Sequence, residues 1–423
     1  MKIYTENDCG ELLKRGFEER ERELEIVKNI LSDVRTRGDA AVFDYEKQFS
    51  GALIDQENIC VGESEYLAAY EEVSPKLLCS LRRAIKNIRE YHSRKGRRDT
   101  LETHDGRMTG YVVRPVASAG IYVPAGTAPL ASSVCMGVIP AKAAGVKNVV
   151  VVTPTKKGAV HPLVLVAARE CGADAVYKTG GAQAIAALAY GTESIKKVDV
   201  IAGPGNIYVT LAKKEVYGQV GIDMLAGPSE ILIIADGSAD PDCVAADVLS
   251  QAEHDPLSRA IVVTPDARLA EKISERVLVR LKELPRREIA EKSLDFGGGI
   301  VLVKDLEKAC EISNQIAPEH LELYVAEPEE WLNKIENAGA VFLGGYTPEP
   351  VGDYFAGPDH ILPTGGSAKF FGVLNEDVFT RKMSVIGYTK EALLKDGADI
   401  VRLAESEGLA AHARAVLART EEK

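Results

Sequence analysis

Four short stretches of this chain concentrate side chains that can hold a divalent cation or move a proton. In Ser250-Gln251-Ala252-Glu253-His254-Asp255, an amide and an imidazole stand three residues apart. On a helix that spacing puts both on one face, so Gln251 and His254 can address one point. An amide oxygen and an imidazole nitrogen suit a borderline cation such as zinc. One pair does not close a metal site, so the same residues also fit a helix end with a solvated histidine. In Ala317-Pro318-Glu319-His320-Leu321-Glu322, an acid sits beside an imidazole. Histidine titrates near neutrality and suits proton abstraction from an alcohol, while a neighbouring Glu suits activation of water. The alternative is a helix start, with Pro318 in the first turn and Glu319 favouring the dipole. The stretch Gly352-Asp353-Tyr354-Phe355-Ala356-Gly357-Pro358-Asp359-His360 reads as a ligand-binding loop, or as an Asx-turn loop in which Asp353 and Asp359 bond their own backbone. Glu407-Gly408-Leu409-Ala410-Ala411-His412, taken alone, reads as a helix cap followed by a surface histidine. Four of the seven histidines fall in these stretches, and His92, His104 and His161 read as incidental.

A second group of residues forms Gly-rich turns: Ile121-Tyr122-Val123-Pro124-Ala125-Gly126 ends a strand, and Gly180-Gly181-Ala182-Gln183 and Gly203-Pro204-Gly205-Asn206 precede helices. Backbone N–H groups in such turns can hold phosphate oxygens. The G-x-G-x-x-G fingerprint is absent, because Tyr208 occupies the third glycine position after Gly203-Pro204-Gly205.

These turns and clusters must be positioned by an α/β scaffold. From Val112 short apolar strands alternate with Gly- and Ala-rich helices. The pattern predicts strands at Ser118–Val123, Asn148–Thr153, Ala175–Tyr177, Val198–Ile201 and Ile231–Ile234, with helices at Ser133–Ala144, Pro162–Cys171 and Ala182–Tyr190. Together they read as one doubly wound parallel sheet. A second α/β unit follows: helix Val244–Glu253, strand Arg259–Thr264, helix Arg268–Leu281, strand Gly299–Val303 and helix Leu306–Ile316. Val150-Val151-Val152-Thr153-Pro154 is echoed by Ile261-Val262-Val263-Thr264-Pro265, which hints at two related units; superimposable cores would support this, and different strand orders would end it. Charged helices are predicted at Phe17–Arg37, where Glu18 and Arg22 stand at i,i+4, and at Pro75–His92. Residues 370–423 read as a helical tail ending in Ala398–Glu421 that must bury an apolar face on its own body or on a neighbour.

The bulk numbers agree with a folded globular protein. A chain of 423 residues is too long for one core and implies two or more domains. The net charge of −12 repels phosphate backbones, so no nucleic-acid partner is expected. No apolar run reaches about 18 residues, and the N-terminus is polar, so no membrane span or signal peptide is expected. The seven cysteines (Cys9, Cys60, Cys79, Cys135, Cys171, Cys243, Cys310) have no thiolate-motif spacing and read mostly as buried small hydrophobes in a reducing, cytoplasmic setting. Cys135 lacks an adjacent activating base and reads as inert.

Taken together, Tyr122–Gly126 with Ala128-Pro129, Gly180–Gly191, Gly203–Asn206, Ala226–Glu230, Ser250–Asp255, Pro318–Leu321, Gly352–His360 and Glu407–His412 resemble the histidinol dehydrogenases from about residue 25 to the C-terminus. The resemblance implies two Rossmann-like doubly wound domains with a small N-terminal helical segment and a C-terminal helical tail. Its segments would be 1–21, a discontinuous domain of 22–121 and 232–369, a domain of 122–231, and a tail of 370–423 exchanged between subunits of a homodimer. It implies Gln251, His254, Asp353 and His412 as zinc ligands and Glu319 and His320 as the acid–base pair. Substrate contacts would be Ser229, Gln251, His254, His320, Asp353, His360, Glu407 and His412, with Glu407 and His412 entering the partner's site. Tyr122, Gln183 and Asn206 would contact NAD. The implied reaction is the four-electron oxidation of L-histidinol through the aldehyde to L-histidine with two NAD, the last step of histidine biosynthesis. Pro124-Ala125-Gly126 stands where the family often has two glycines, and Phe370–Asn375 is an unusual entry to the tail. Competing readings are a relative acting on another small alcohol and a non-catalytic metal- or nucleotide-binding protein.

Overall fold

A computed structural model of the chain describes residues 1–13, 20–94, 99–125 and 130–420. Phe17, Glu18, Gly126, Ala128, Pro129 and Glu421, which enter the readings above, lie outside the described residues. The strands in chain order are β1 (Ile3–Thr5), β2 (Thr100–His104), β3 (Arg107–Pro115), β4 (Ser118–Tyr122), β5 (Asn148–Val152), β6 (Ala175–Tyr177), β7 (Val200–Ala202), β8 (Gly221–Ile222), β9 (Glu230–Ala235), β10 (Arg259–Thr264), β11 (Gly298–Leu302), β12 (His320–Tyr324), β13 (Ala340–Leu343) and β14 (Thr380–Tyr388). The helices are α1 (Gly10–Leu13), α2 (Glu21–Arg37), α3 (Asp39–Phe49), α4 (Glu63–Glu72), α5 (Pro75–Ser93), α6 (Ala131–Ala143), α7 (Pro162–Cys171), α8 (Gly181–Tyr190), α9 (Ile207–Val216), α10 (Pro241–Ala252), α11 (Ala267–Leu281), α12 (Arg287–Gly297), α13 (Leu306–Ile316), α14 (Pro328–Leu332), α15 (Glu349–Tyr354), α16 (Lys390–Ser406) and α17 (Ala410–Thr420). Among the described residues no helix is long and apolar enough to cross a membrane.

The chain divides into a unit of 1–95 and 116–379 and a unit of 96–115 and 380–423. The first unit holds two parallel sheets, ordered β6-β5-β4-β7-β8 and β1-β11-β10-β9-β12-β13. Counted along the chain, each core reads 3-2-1-4-5, and β1 adds one edge strand to the second. The echoed segments Val150–Pro154 and Ile261–Pro265 run off the second strand of each sheet, and the difference in strand order that would end the duplication is not found among the described residues. The segment Ile231–Ile234, grouped by sequence with the first sheet, is β9 and pairs with β10 and β12 of the second. A wholly buried apolar run reads the same in either sheet, so only the strand pairing assigns it.

Both sheets are covered on both faces, which is why their strands are continuous Val/Ile runs rather than alternating ones. The helices start where the sequence supplies caps: Asn206 for α9, Asp240 followed by Pro241 for α10, and Asp266 for α11. The buried stripe Val27, Ile30, Leu31 and Val34 of α2 packs with Ile185 and Leu188 of α8, each full burial being worth about 1.5–3 kcal/mol. Ile85 and Ile88 of α5 join the core of the first sheet's other face. The helices of 21–93, which the family resemblance groups with 232–369, thus bury their apolar faces with the first sheet.

In the second unit β14-β3-β2 form an antiparallel sheet, followed by α16 and α17. The tail expected as one helix over Ala398–Glu421 is two, broken at Gly408, whose φ of +74° favours glycine. Strand β14 was not legible because most of its side chains are exposed and its partner β3 is about 270 residues distant in sequence.

Candidate active site

The amino ends of β9 and β12 lie side by side and collect the proton-active residues. Helix α13 ends at Ile316, and Ala317 takes the left-handed conformation with φ +52°. Pro318 and Glu319 then run into β12, which opens at His320, so this stretch is a strand entry and not a helix start. A non-glycine residue held at positive φ beside an acid–imidazole pair marks a conformation the surroundings enforce. Glu230, the first residue of β9, donates its N–H to Glu319 Oε2 at 2.9 Å, and its carbonyl lies 3.2 Å from His320 Nδ1. A carbonyl can only accept, so Nδ1 carries the proton and Nε2 is the free basic nitrogen. That Nε2 is buried without a protein partner and faces Asp353 Oδ1 at 4.0 Å. Burial lowers the His320 pKa, which keeps the ring neutral near pH 7, and burial pushes the Glu319 carboxyl well above the usual range.

Asp353 sits on the short helix α15, not in a loop, and its carboxyl is pushed up to about 7 by burial and by Glu349, against the opposing pull of His320. Glu349, at the start of α15, lies 3.7 Å from His320 Nδ1 and is pushed up to about 8 by burial and by Asp247. Gln251 stands in the last turn of α10, wholly buried, with Nε2 3.4 Å from His254 Nδ1 and Oε1 unpartnered. Burial, and then the His320 imidazole, lower the pKa of His254, which lies just beyond the helix and keeps a solvent-facing side. His360 is depressed to about 4 by burial, with His320 and His254 adding to the effect, and its Nε2 is also unpartnered. Asp359, beside it, uses Oδ1 to accept from Ile361 N at 2.7 Å, so the Asx-turn alternative holds for this residue. Ser229 adjoins Glu230, its carbonyl accepting from Arg259 N at 3.1 Å.

The fold therefore gathers Ser229, Gln251, His254, Glu319, His320, Asp353 and His360 around one region. It adds Glu230 and Glu349, which nothing in the sequence distinguished from surface acids. One ligand atom each from His320, Glu349 and Asp353 lies within 4.8 Å of the others. His320 Nε2 is the unpartnered nitrogen of this set, and its nitrogen–oxygen donors fit a divalent cation; Gln251 Oε1 is also unpartnered. Glu407 and His412 belong to the second unit: Glu407 closes α16, and His412 lies exposed in the first turn of α17.

The expected cofactor residues occupy the opposite, carboxyl ends of the first sheet. Tyr122 closes β4, and its hydroxyl accepts from Gly181 N at 3.1 Å. Gln183 lies in the first turn of α8, and its Nε2 donates to Glu46 Oε1 at 2.9 Å. Between β7 and α9, the Gly203 N–H donates to Asp223 Oδ2 at 2.8 Å and its carbonyl accepts from Lys213 Nζ at 3.0 Å. Lys213 and Asp223 are a buried ion pair, so one salt bridge holds both ends of that peptide. Gly203 has φ +118°, and a Cβ there would overlap the Tyr122 carbonyl. The helix-start donors do not await a phosphate: Gly180 N and Gly181 N are taken by Glu46 and Tyr122, and Tyr208 N and Val209 N by the Asn206 side chain. Burial, and then Asp223, raise the pKa of Asp359, the neighbour of His360 in sequence.

Of the three histidines read as incidental, His104 is exposed and His161 caps α7, but His92 is fully buried and pairs with Glu376 at 3.0 Å. All seven cysteines are free, and Cys135 is buried.

Comparison with known proteins follows the same lines. The family model for histidinol dehydrogenase matches residues 13–420. The chain is 53% identical over 397 residues to a histidinol dehydrogenase of Moorella thermoacetica, covering 93% of this chain and 94% of the relative. It is 49% identical over 425 residues to that of Halalkalibacterium halodurans, covering all of both. The crystal structure of histidinol dehydrogenase from Elizabethkingia anophelis superposes with a TM-score of 0.94 at 38% identity, over 99% of this chain and 98% of that one.

Proposed function

The chain belongs to the histidinol dehydrogenase family, and we propose that it oxidises L-histidinol through the aldehyde to L-histidine with two NAD and a bound zinc ion. The observation that carries this reading is the buried, neutral His320 beside Glu319, whose unpartnered Nε2 faces Asp353 in a cluster with Glu349 that could hold a cation.

In the first half, His320 Nε2 takes the hydroxyl proton of the alcohol while the carbinol hydride leaves, giving the aldehyde. NAD, when bound at Tyr122, Gln183 and Asn206, supplies the hydride acceptor for each half. Water then adds to the aldehyde carbon, with the Glu319 carboxylate removing a proton, to give the gem-diol. Loss of a second hydride and further protons leaves the carboxylate. The raised pKa of Glu319 makes it a stronger base than an exposed carboxylate. The Glu230 backbone, which bonds both Glu319 and His320, holds the two groups in register.

Gln251, His254 and Asp353 would hold the zinc, with His412 of the partner subunit as the fourth ligand. The ion, when bound, orients the substrate imidazole and amine. Ser229, His360 and Glu407 complete the substrate contacts in this reading, and the tail 370–423 joins two chains as a homodimer. A cytoplasmic setting suits such an enzyme.

The test is NADH formation from L-histidinol with and without a chelator. Two NADH per substrate, lost on chelation and restored by zinc, are expected. Faster turnover of a different amino alcohol would replace the substrate, and absence of any NADH would remove the activity.

A further inference from the structure

Glu46 of α3 is buried to 2% exposure, yet the chemistry above makes no use of it. Its Oε1 accepts three hydrogen bonds: from Thr179 Oγ1 at 2.9 Å, Gly180 N at 3.0 Å and Gln183 Nε2 at 2.9 Å. Its Oε2 accepts from Ser50 Oγ at 3.1 Å. A carboxylate accepts and does not donate, so it dictates which half of the Gln183 amide faces it. The NH2 turns inward, and the carbonyl Oε1 points away.

That Oε1 is buried and has no protein partner. Beside it stands Gly181, at φ +59°, and a Cβ on Gly181 would come within 2.8 Å of it. Gly181 therefore sets no side chain against this fixed acceptor. The Gly181 N–H is already spent on the Tyr122 hydroxyl, so no backbone donor remains there to hold an anion. A buried acceptor left unmatched costs about 1–3 kcal/mol, which a donor on a ligand recovers.

We propose that Glu46 is a positioning residue for the cofactor: it locks Gln183 as an acceptor for a hydroxyl or amide N–H of the nicotinamide nucleotide and keeps phosphate oxygens out of that spot. This rests on the reading of Tyr122, Gln183 and Asn206 as the cofactor edge. It makes the start of α8 a site for sugar or carboxamide and sends the pyrophosphate elsewhere, although the Gly180-Gly181 turn looks by sequence like a phosphate cradle.

The test measures NADH binding to the full-length protein by fluorescence, L-histidinol binding by calorimetry without NAD, and steady-state kinetics. Glu46→Leu frees the amide to flip. NADH Kd and the KM for NAD should each rise about tenfold, the equivalent of about 1.4 kcal/mol, with kcat changed less than about threefold and substrate binding unchanged. Glu46→Gln keeps a carbonyl acceptor toward Gln183 and should stay within about threefold of wild type. Should the Leu variant fail to fold, Glu46→Ala, which admits water, reads the same contact. In Gln183→Leu the orientation no longer matters, so adding Glu46→Leu or Glu46→Ala to it should cost little more, whereas a merely structural Glu46 gives additive losses. Near-normal NADH binding in the Leu or Ala variant, or equal losses in the Gln and Leu variants, overturns the proposal while the activity stands. A wild-type protein that binds no NADH overturns the activity and this proposal together.

Discussion

The two parallel sheets share a strand order, yet the proposed function puts them to work from opposite ends. In the proposed reading the first uses the carboxyl ends of β4 and β7, at the point where the strand order reverses, the usual crevice for a nucleotide in such sheets. There Gly203 lets the chain pass against the Tyr122 carbonyl, and the Lys213–Asp223 pair holds the turn. At the corresponding end of the second sheet, Asp236 Oδ2 accepts from Ala326 N at 3.0 Å and joins the exits of β9 and β12 to each other. The second sheet instead offers its amino ends, where Glu230 bonds both Glu319 and His320. The difference teaches that topology supplies places for a site and does not choose among them. Glycine turns make one edge accessible to a ligand's backbone-close approach, while strand register makes another edge present rigid side chains.

The proposed function puts proton transfer at the amino edge and the nucleotide at the carboxyl edge, and each assignment can be broken separately. His320→Ala should lower kcat by roughly 10²–10⁴-fold while NADH binding, followed by fluorescence, stays near wild type. Loss of NADH binding in that variant would merge the two edges into one function. Glu319→Gln should still release the first NADH and stall before the second. A single-turnover burst of one NADH per site checks it, and normal aldehyde consumption would move water activation to another group.

Lys213→Met strips the partner from a buried Asp223 and should destabilise the fold by about 3–5 kcal/mol, read from the urea midpoint. Gly203→Ala is the sharper probe of the carboxyl edge. Forcing a Cβ into positive φ against Tyr122 should cost about 1–3 kcal/mol and weaken NADH binding, with metal uptake at the amino edge unchanged.

The smallest effect concerns Asp247, which lies behind the amino edge beside Glu322. Burial pushes its carboxyl up to about 6 from an ordinary 3.8. The folded state then holds a proton that the unfolded chain has released. Stability is therefore favoured below the ordinary value and falls as pH rises from about 4 to about 6. Asp247→Asn should flatten that part of the stability-versus-pH curve, and an unchanged slope would show that another group causes it.

The sequence made much of this legible. The Val-rich strands, the capped helices and the clusters at 250–255, 317–322 and 352–360 are local patterns, and the structure places all three clusters near His320. Others were hidden for physical reasons. Glu46 and Glu349 look like solvent-facing acids until the fold buries them, and His92 gives no local sign that it faces Glu376 from 284 residues away.

By itself, then, the sequence determined many of the strands and helices of the two parallel sheets and which residue types could do chemistry, because periodicity, capping and side-chain acidity are properties of neighbours along the chain. Tertiary structure alone decided that β9 joins the second sheet, which tautomer His320 holds, and which half of the Gln183 amide is left for a ligand. Those choices depend on burial and on hydrogen-bond partners far apart in sequence, and the desolvation that sets them exists only once the chain has folded.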